Sequence, residues 1–563
     1  MIKGLPRLLR EQRGVENVIF GALLMVFAAP LWSLSQIPTQ DGSAHLYNAY
    51  LLSGWWKTSF PVDRAFFAFN PAPVPNWFST VMLALLMQVF SPQVAERVLL
   101  TSYVVFLPLA FRYASRSFDH IPRYTYFLGF VLVWNYFFQL GFFNFCLSLA
   151  WYLFFVGYWA RNRGNLGTRQ VVNLFLLSIL LYFSNGLSYY LAAGTIGLLS
   201  IAALAKKVHG DSQWPWWYAV AMPQVGLLLA LPLSVLFFTQ HGKYYATRGV
   251  PMTLGSLSWS VTRLPILLPS FSTIDLKLSA LFAIVLLISA AIACCARRHR
   301  EQKFLFSDVV VIAAAVQFVL YVIAPEHAGG GGFINDRILL FSLVTFTLWI
   351  AIQQYDKITT AAIAAAALLI SLGLQARTFE HNRWLSARLD EYSTAANHID
   401  ENKSLWAFDL DPAGSGYPYL QEHGLRYDPF EHAGAMLALQ RNLVDLNNYE
   451  TASKNFPIVY KNSVDPFGIL EKLPRDGGPR AWPPMVDFAK YYQTTGQRVD
   501  YVLLWDLHAK DHTNPSIQNL LQQLSSDYAL IYCAPNIPLQ LYQLRSQVST
   551  AQASEKSTAC NGG

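Results

Sequence analysis

The chain has 563 residues, of which 53% are hydrophobic, 15% aromatic and only 13% charged, against about 25% charged residues in soluble domains. This composition excludes an entirely soluble globular protein. The net charge of +7 does not indicate a nucleic-acid partner, because the basic residues are concentrated in short loops between apolar segments. Membrane proteins mark their cytoplasmic side in this way.

Apolar segments long enough to cross a bilayer recur along the chain, since about 20 apolar residues span the hydrocarbon core. They lie near residues 17–35, 77–92, 97–113, 122–139, 142–160, 170–184, 186–205, 215–238, 279–296, 307–324, 337–354 and 358–375. After Arg377 the chain is polar and charged. We therefore predict an α-helical polytopic membrane domain of about 11–13 transmembrane helices over residues 1–376. A soluble domain over 377–547 and a polar tail over 548–563 follow it.

Short basic loops orient this domain in the membrane. Lys and Arg are concentrated before the first segment and near residues 161–169, 206–207 and 297–303. Placing these loops in the cytoplasm puts the loops at 239–277 and 324–337, and the soluble domain, outside. We expect an integral protein of the inner cell membrane with an extracytoplasmic C-terminal domain.

Successive loops of a polytopic membrane protein should alternate between the cytoplasmic and the outer side, and segments 77–92 and 97–113 do not fit this alternation. Counted as two full spans, they would place the basic loop "RYASRSFDHIPR" outside. We therefore expect one of the two to be short or re-entrant.

The first candidate site follows the first apolar segment, on the outside. Asp41 and His45 lie four residues apart in a turn marked by Pro38 and Gly42, and Asn48 shares the face of His45 in the short helix predicted to follow. An Asp before a helix can act simply as its N-cap, and that alternative stays open. Ionisable residues at membrane depth are costly and usually functional, which favours a site.

Other polar residues lie in predicted outer loops. Gln139 and Asn144 lie in the hairpin "NYFFQLGFFNF", either as substrate contacts or as turn formers. The basic and aromatic run at 241–248, with Lys243 and Arg248, suits an anionic headgroup or a diphosphate; a solvated loop is the alternative.

A second candidate site is the stretch "APEHAGGGGFINDRILL". Its four glycines allow the backbone to pass close to a ligand, and Glu326, His327, Asp336 and Arg337 flank them. Arg337 begins an apolar helix, where a guanidinium can reach the interface and hold a phosphate through two hydrogen bonds. The alternative is a flexible loop whose Arg pairs with lipid headgroups. No Lys-Ser or Lys-Thr follows the glycines, so this is not a nucleotide-binding loop.

The soluble domain alternates strand-like and helical segments. Apolar runs lie at 405–410, 499–506, 528–534 and 539–544, and the segment 515–527 has helical spacing of its apolar residues. This alternation predicts a small α/β domain. It contains neither a phosphate loop nor a Cys-x-x-Cys motif, so we interpret it as a lid or partner-binding module.

The order of these features resembles the opening of the GT-C superfamily. In sequence, they are a first span, an acidic residue in a Pro/Gly turn, a juxtamembrane helix and then "NPAPVPNWFSTVMLALLMQVFSPQVAERVLL". These polytopic glycosyltransferases use polyprenyl-phosphate sugars and include protein O-mannosyltransferases and aminoarabinose transferases. The resemblance covers roughly residues 15–110 and 324–340. It departs from the family at Gly42, where a second acid would follow Asp41, and at Asn144, where many members carry an acidic residue.

The resemblance implies an inverting glycosyltransferase that moves a sugar from a polyprenyl-phosphate donor, within membrane lipids, to an extracytoplasmic glycan, lipid or protein. Asp41 would be the general base, and His45 would hydrogen-bond Asp41, bind the sugar, or hold a divalent metal ion together with it; no other cofactor is implied. The donor phosphate is expected at Arg337, Lys243, Arg248 and His327, and the substrate at Asn48, Gln139, Asn144, Glu326 and Asp336. The competing hypothesis is a non-catalytic scaffold or a translocase for lipid-linked glycans.

The cysteines provide a test of the side of the membrane on which the C-terminal domain lies. Cys533 and Cys560 are the two that this topology places outside, where a disulfide persists; it would close about 28 residues and stabilise by roughly 3 kcal/mol. A membrane-impermeant thiol reagent should therefore label both from outside intact cells only after reduction. Labelling of Cys560 only after the membrane is opened would place the domain in the cytoplasm.

Overall fold

The computed structural model describes residues 5–55, 64–118, 124–163, 166–208, 224–225, 227–228, 230–241, 273–299, 305–325, 331–410, 427–471, 483–507 and 512–548. Within these residues, a bundle of helices is followed by a mixed β-sheet with short helices. The predicted class, a helical polytopic membrane protein with a C-terminal α/β region, is confirmed.

Seven helices in the described part of the chain contain stretches long and apolar enough to cross a membrane. The stretches are Gly14–Ser33, Pro92–Ser115, Phe143–Asn162, Gly186–Leu204, Asp275–His299, Ile334–Ala351 and Lys357–His398. The helices Thr168–Ser184 and Asp308–Ile323 are apolar but shorter, and Leu231–His241 is shorter still. The described residues thus hold fewer full-length spans than the 11–13 apolar segments suggested, because several of those segments form short or broken helices.

Segment 77–92 is the short one of the pair that broke the alternation. Its helix, Phe78–Leu86, has nine residues and rises about 14 Å, which is too little to cross a core of about 30 Å. Ser91 then caps the 24-residue helix Pro92–Ser115, accepting a hydrogen bond from the backbone N–H of Val94. One of the two segments is therefore short, as expected, and the sides on which the loops lie stay a prediction.

Segment 122–139 is not the continuous helix that its composition predicts. It consists of a 3₁₀ turn at Thr125–Phe127 and two four-residue helices, Leu128–Val131 and Tyr136–Gln139. Asn135 caps the second helix through the backbone N–H of Phe138. Residues 125–139 are buried, and irregular backbone is tolerated at membrane depth where protein surrounds it.

The helix Lys357–Ser393 carries the chain out of the bundle. Its 37 residues extend about 55 Å, well beyond the thickness of the hydrocarbon core. Near its far end, Asp390 accepts a hydrogen bond from the side chain of Gln36 at 3.1 Å, just after the first helix, Leu5–Ser33. Position 376, the predicted domain boundary, lies inside this helix.

The C-terminal region is built on a five-stranded sheet. Its strands are β2 (Ser404–Asp409), β3 (Val444–Asp445), β5 (Tyr501–Trp505), β6 (Tyr528–Cys533) and β7 (Leu539–Leu544), in the order β3-β2-β5-β7-β6. The pairs β3-β2 and β2-β5 are parallel, and the pairs β5-β7 and β7-β6 are antiparallel. The helices of this region are Gly434–Arg441, Tyr449–Ser453, Pro466–Ile469, Phe488–Thr495 and Pro515–Asp527.

The C-terminal region is joined to the first outer loop by backbone pairing. Strand β1 (Phe67–Phe69) in that loop pairs antiparallel with β4 (Ile458–Tyr460). The hydroxyl of Tyr47, in the helix Gly42–Gly54, donates to the carbonyl oxygen of Leu443 at 2.7 Å. The C-terminal region is therefore in direct contact with the first outer loop and with the helix Gly42–Gly54.

Among the cysteines, Cys533 is disulfide-bonded. Cys146, Cys294 and Cys295 are free thiols. Cys560, the predicted partner of Cys533, lies outside the described residues, so the pairing stays a prediction.

Gly141 allows the closest backbone approach around the first outer loop, and its replacement tests that constraint. Its φ is +79°, and a Cβ there would lie 2.7 Å from the backbone nitrogen of Gly42. Gly496 has φ +71° but nothing within 4 Å, so it is the matched control. Gly496→Ala should destabilise by about 1 kcal/mol from conformation alone, and Gly141→Ala by about 1–3 kcal/mol more from the clash. Equal thermal midpoints of the two purified variants would contradict this.

Candidate active site

A cavity of about 430 Å³ lies between the helical bundle and the C-terminal region. Four of the predicted site residues line it: Asp41, His45, Asn144 and Arg337. The first and second candidate sites, almost 300 residues apart in the chain, therefore face one space.

The position of Asp41 is set by its backbone. The N–H of Asp41 donates to the carbonyl oxygen of Leu140, and that of Gln40 to the carbonyl oxygen of Gln139, both at 3.1 Å. Asp41 stands at the N-cap of the helix Gly42–Gly54, but its side chain makes no capping hydrogen bond. The carboxylate is therefore not used to start the helix.

The carboxylate of Asp41 instead meets two side chains from the C-terminal region. The hydroxyl of Tyr449 donates to its Oδ2 at 2.6 Å, and Nε2 of His432 lies 3.6 Å from its Oδ1. The rings of His432 and Tyr449 stack with their centroids 4.6 Å apart. Burial, together with the charge of Asp41, raises the pKa of Tyr449 well above its usual value, so the phenol remains a neutral donor.

His45 is paired with a carboxylate that the sequence did not indicate. Its Nδ1 contacts Oε1 of Glu450, and the Glu450 side chain is fully buried. Burial works to lower the pKa of His45, but Glu450 and Asp41, with a hydrogen bond to the backbone of Gly141, raise it above its ordinary value. Burial raises the pKa of Glu450, against the opposing effect of His45.

Arg337 presents a cation to the cavity. Its guanidinium lies over the rings of Phe142, 4.6 Å from the centroid, and Phe145, at 5.5 Å. Among the described residues, its buried Nε has no hydrogen-bond partner. Gly331 and Gly332 line the cavity beside it, at the start of the 18-residue helix Ile334–Ala351. A guanidinium held by aromatic faces at a helix N-terminus suits an anion.

The other predicted substrate residues have different surroundings. Asn144 reaches the cavity, but its Oδ1 accepts from the backbone of Ser79 and its Nδ2 donates to the carbonyl oxygen of Asn76, both at 2.7 Å. Asn48, Gln139 and Asp336 are buried and are not among the residues that line the cavity. The predicted residues Lys243, Arg248, Glu326 and His327 lie outside the described residues.

The remaining wall of the cavity is largely aromatic and aliphatic. Tyr190 and Phe238, which line it, are 40% and 51% exposed, so the cavity extends to the outer surface of the bundle. The hydroxyl of Ser234, another lining residue, is buried without a hydrogen-bond partner in the described part of the chain. An apolar wall with a few polar groups is typical of small-molecule and lipid sites.

A metal ion on Asp41 and His45 was the alternative cofactor. Within the described residues, no group of three or more His, Cys, Asp or Glu side chains is placed to hold a metal ion. Asp41 contacts Tyr449 and His432, and His45 contacts Glu450.

The sequence did not single out these three residues of the C-terminal region. They lie in "FEHAGAM" and "NNYETAS", which have no motif or spacing of their own. Their relation to Asp41 arises only from tertiary folding across about 400 residues; for the Tyr449 contact the separation is 408 residues.

Comparison with known proteins finds similarity among solved structures. No protein-family model and no curated protein matches the chain. Among solved structures, the chain is similar to the crystal structure of ArnT from Cupriavidus metallidurans bound to undecaprenyl phosphate. That similarity has 11% sequence identity, covers 93% of this chain and 97% of that one, and has a TM-score of 0.47.

Proposed function

We propose that the protein is a membrane glycosyltransferase that moves a sugar from a polyprenyl-phosphate donor to an extracytoplasmic acceptor with inversion at the anomeric carbon. The observation that supports this most is the presence of Asp41 and Arg337 in one cavity with a largely apolar wall. A lipid-phosphate sugar needs a cation for its phosphate, a base for the acceptor and an apolar surface for its chain.

Arg337 is the phosphate-binding group in this proposal. As the bond between the anomeric carbon and the phosphate oxygen breaks, its electron pair goes to the phosphate, and negative charge grows there. A guanidinium that already lies at this position, with no ion-paired carboxylate among the described residues, stabilises the charge as it develops. The contacts of Arg337 with Phe142 and Phe145 hold it in place without neutralising it.

Asp41 is the general base. The acceptor oxygen or nitrogen attacks the anomeric carbon from the face opposite the phosphate, and its proton passes to the carboxylate of Asp41. Tyr449 binds Oδ2, which fixes the orientation of the carboxylate and leaves Oδ1, near His432, to take the proton. A single displacement of this kind inverts the anomeric centre.

The apolar wall fits the lipid part of the donor. Tyr190 and Phe238 connect the cavity to the exposed surface of the bundle, where the apolar helices are expected to meet the bilayer. A polyprenyl chain could thus remain in the membrane while its phosphate reaches Arg337.

Asp41→Asn should lower transfer by at least about 100-fold, within the 10²–10⁴-fold that general base catalysis supplies. The side-chain volume is retained, so expression and thermal midpoint should change little. Asp356→Asn is the control: Asp356 caps the helix Lys357–Ser393 away from the cavity, and Asn also caps well. Transfer should be assayed with purified protein and a polyprenyl-phosphate sugar. Full activity of Asp41→Asn would show that Asp41 is not the general base. Transport of a lipid-linked glycan by the unaltered protein, without sugar transfer, would favour the translocase hypothesis.

Arg337→Ala should weaken use of the donor, lowering kcat/KM by about 100-fold. Arg337→Lys should restore only part of it, because Lys cannot make the planar two-bond contact with a phosphate. Arg388→Lys, which alters an Arg paired with Glu391 elsewhere on the long helix, should behave like the unaltered protein. Donor titrations on all four forms measure this, and equal kinetics in all of them would be incompatible with phosphate binding by Arg337.

A further inference from the structure

A buried pair of ionisable side chains joins the C-terminal region to the helix that follows Asp41. Glu450 has 0% exposure and His45 has 5%, and the two are in direct contact. Glu450 comes from the short helix Tyr449–Ser453, where Asn448 caps the backbone N–H groups of Glu450 and Thr451. His45 lines the cavity, whereas Glu450 does not.

Simple stabilisation does not account for this pair. Taking a carboxylate and an imidazolium out of water costs several kcal/mol per ion, and apolar residues of similar volume often serve as well or better. In the described part of the chain, Oε2 of Glu450 has no hydrogen-bond partner, so the pair is not even fully satisfied. Its position points to a role in the chemistry: the same short helix supplies Tyr449 to Asp41.

We propose that Glu450 is a positioning residue for the catalytic base, and that the C-terminal region thereby completes the active site. This rests on the proposed glycosyl transfer. Glu450 holds His45 in its protonated form and in one orientation, packed between the rings of Phe143 and Phe456 at 5.4 and 5.7 Å. The imidazolium then lies beside the carboxylate that accepts the proton, and its charge attracts that carboxylate.

Charged and titratable groups face this pair from each neighbouring element. They are Asp41 before the helix of His45, Tyr449 beside Glu450, Glu431 and His432 in the turn before Gly434–Arg441, Glu96 on Pro92–Ser115, and Arg337 on Ile334–Ala351. Because carboxylates outnumber cations around His45, the imidazolium is the favoured form there.

The pair is charged only within a window of pH. The pH must be above the pKa of Glu450, which burial raises. It must also be below the pKa of His45, which Glu450 and Asp41 raise against the effect of burial. Without the Glu450 charge, burial dominates and the pKa of His45 falls. His45 then loses its proton at lower pH, so the alkaline limb of the rate profile should move to lower pH.

Glu450→Gln tests this in the full-length protein with a polyprenyl-phosphate sugar as donor. The variant should lower kcat by about tenfold, a part of what a general base contributes, with the donor KM little changed. Glu450→Asp should recover part of the rate. Thr451→Val controls for local disturbance and should keep the original pH profile. Thr451 lies on the same helix, and its hydroxyl donates to the carbonyl oxygen of Asn448 at 2.8 Å.

A double variant separates action through His45 from an independent role. If Glu450 acts through His45, the loss in His45→Gln/Glu450→Gln should equal that in His45→Gln alone. Losses that multiply would overturn the proposal. An unchanged rate and pH profile in folded Glu450→Gln would overturn it as well.

A spectroscopic measurement keeps the proposal distinct from the function on which it rests. ¹⁵N-histidine-labelled protein in bilayers, with His45→Gln to assign the signal, reports the titration of His45 by NMR. The signal should titrate above the ordinary pKa of histidine and shift down in Glu450→Gln, or in Glu450→Asp if the first variant does not fold. A neutral His45 at pH 7 in the unaltered protein would overturn the proposal. If no sugar is transferred but the shift is seen, the glycosyl transfer fails and the positioning of His45 stands.

Discussion

The hydrogen bond from Tyr449 to Asp41 connects the two halves of the chain at the site, and much of the architecture serves to make it. The membrane domain brings Asp41 to the bundle surface by pairing the backbone of residues 40 and 41 with that of 139 and 140. The C-terminal region is held against the same loop by the β1-β4 pairing. Without both contacts, the carboxylate would lose Tyr449 and His432 as neighbours.

Desolvation explains why this arrangement uses so many paired groups. Each buried ion needs a partner, since an isolated charge in a poorly solvated interior is too costly to keep. Asp41 has Tyr449 and His432, and His45 has Glu450. Arg337 is the exception: aromatic faces surround it, and no carboxylate is bonded to it in the described part of the chain. The carboxylate of Asp41 faces the same cavity.

Composition and hydropathy were sufficient to predict the helical membrane class and the α/β C-terminal region, because lipid solubility and strand periodicity are local properties. They misjudged residues 122–139, where burial inside the bundle rather than local sequence decides the backbone. Asp41 and Arg337 could be singled out because a charge beside an apolar segment is conspicuous. Tyr449 and Glu450 could not be singled out, because their surroundings are created by contacts between residues about 400 positions apart. The sequence next to them gives no sign of such contacts.

The helix Lys357–Ser393 has a mechanical consequence. It is about 55 Å long, is inserted in the bilayer at one end, and at the other is tied by Asp390 to Gln36, a few residues before Asp41. A rod of that length behaves as a lever: a tilt of only a few degrees within the membrane displaces its outer end by several ångströms. Since helices adjust their tilt to match the thickness of the hydrocarbon core, a change in the tilt of this helix would also move the segment just before Asp41.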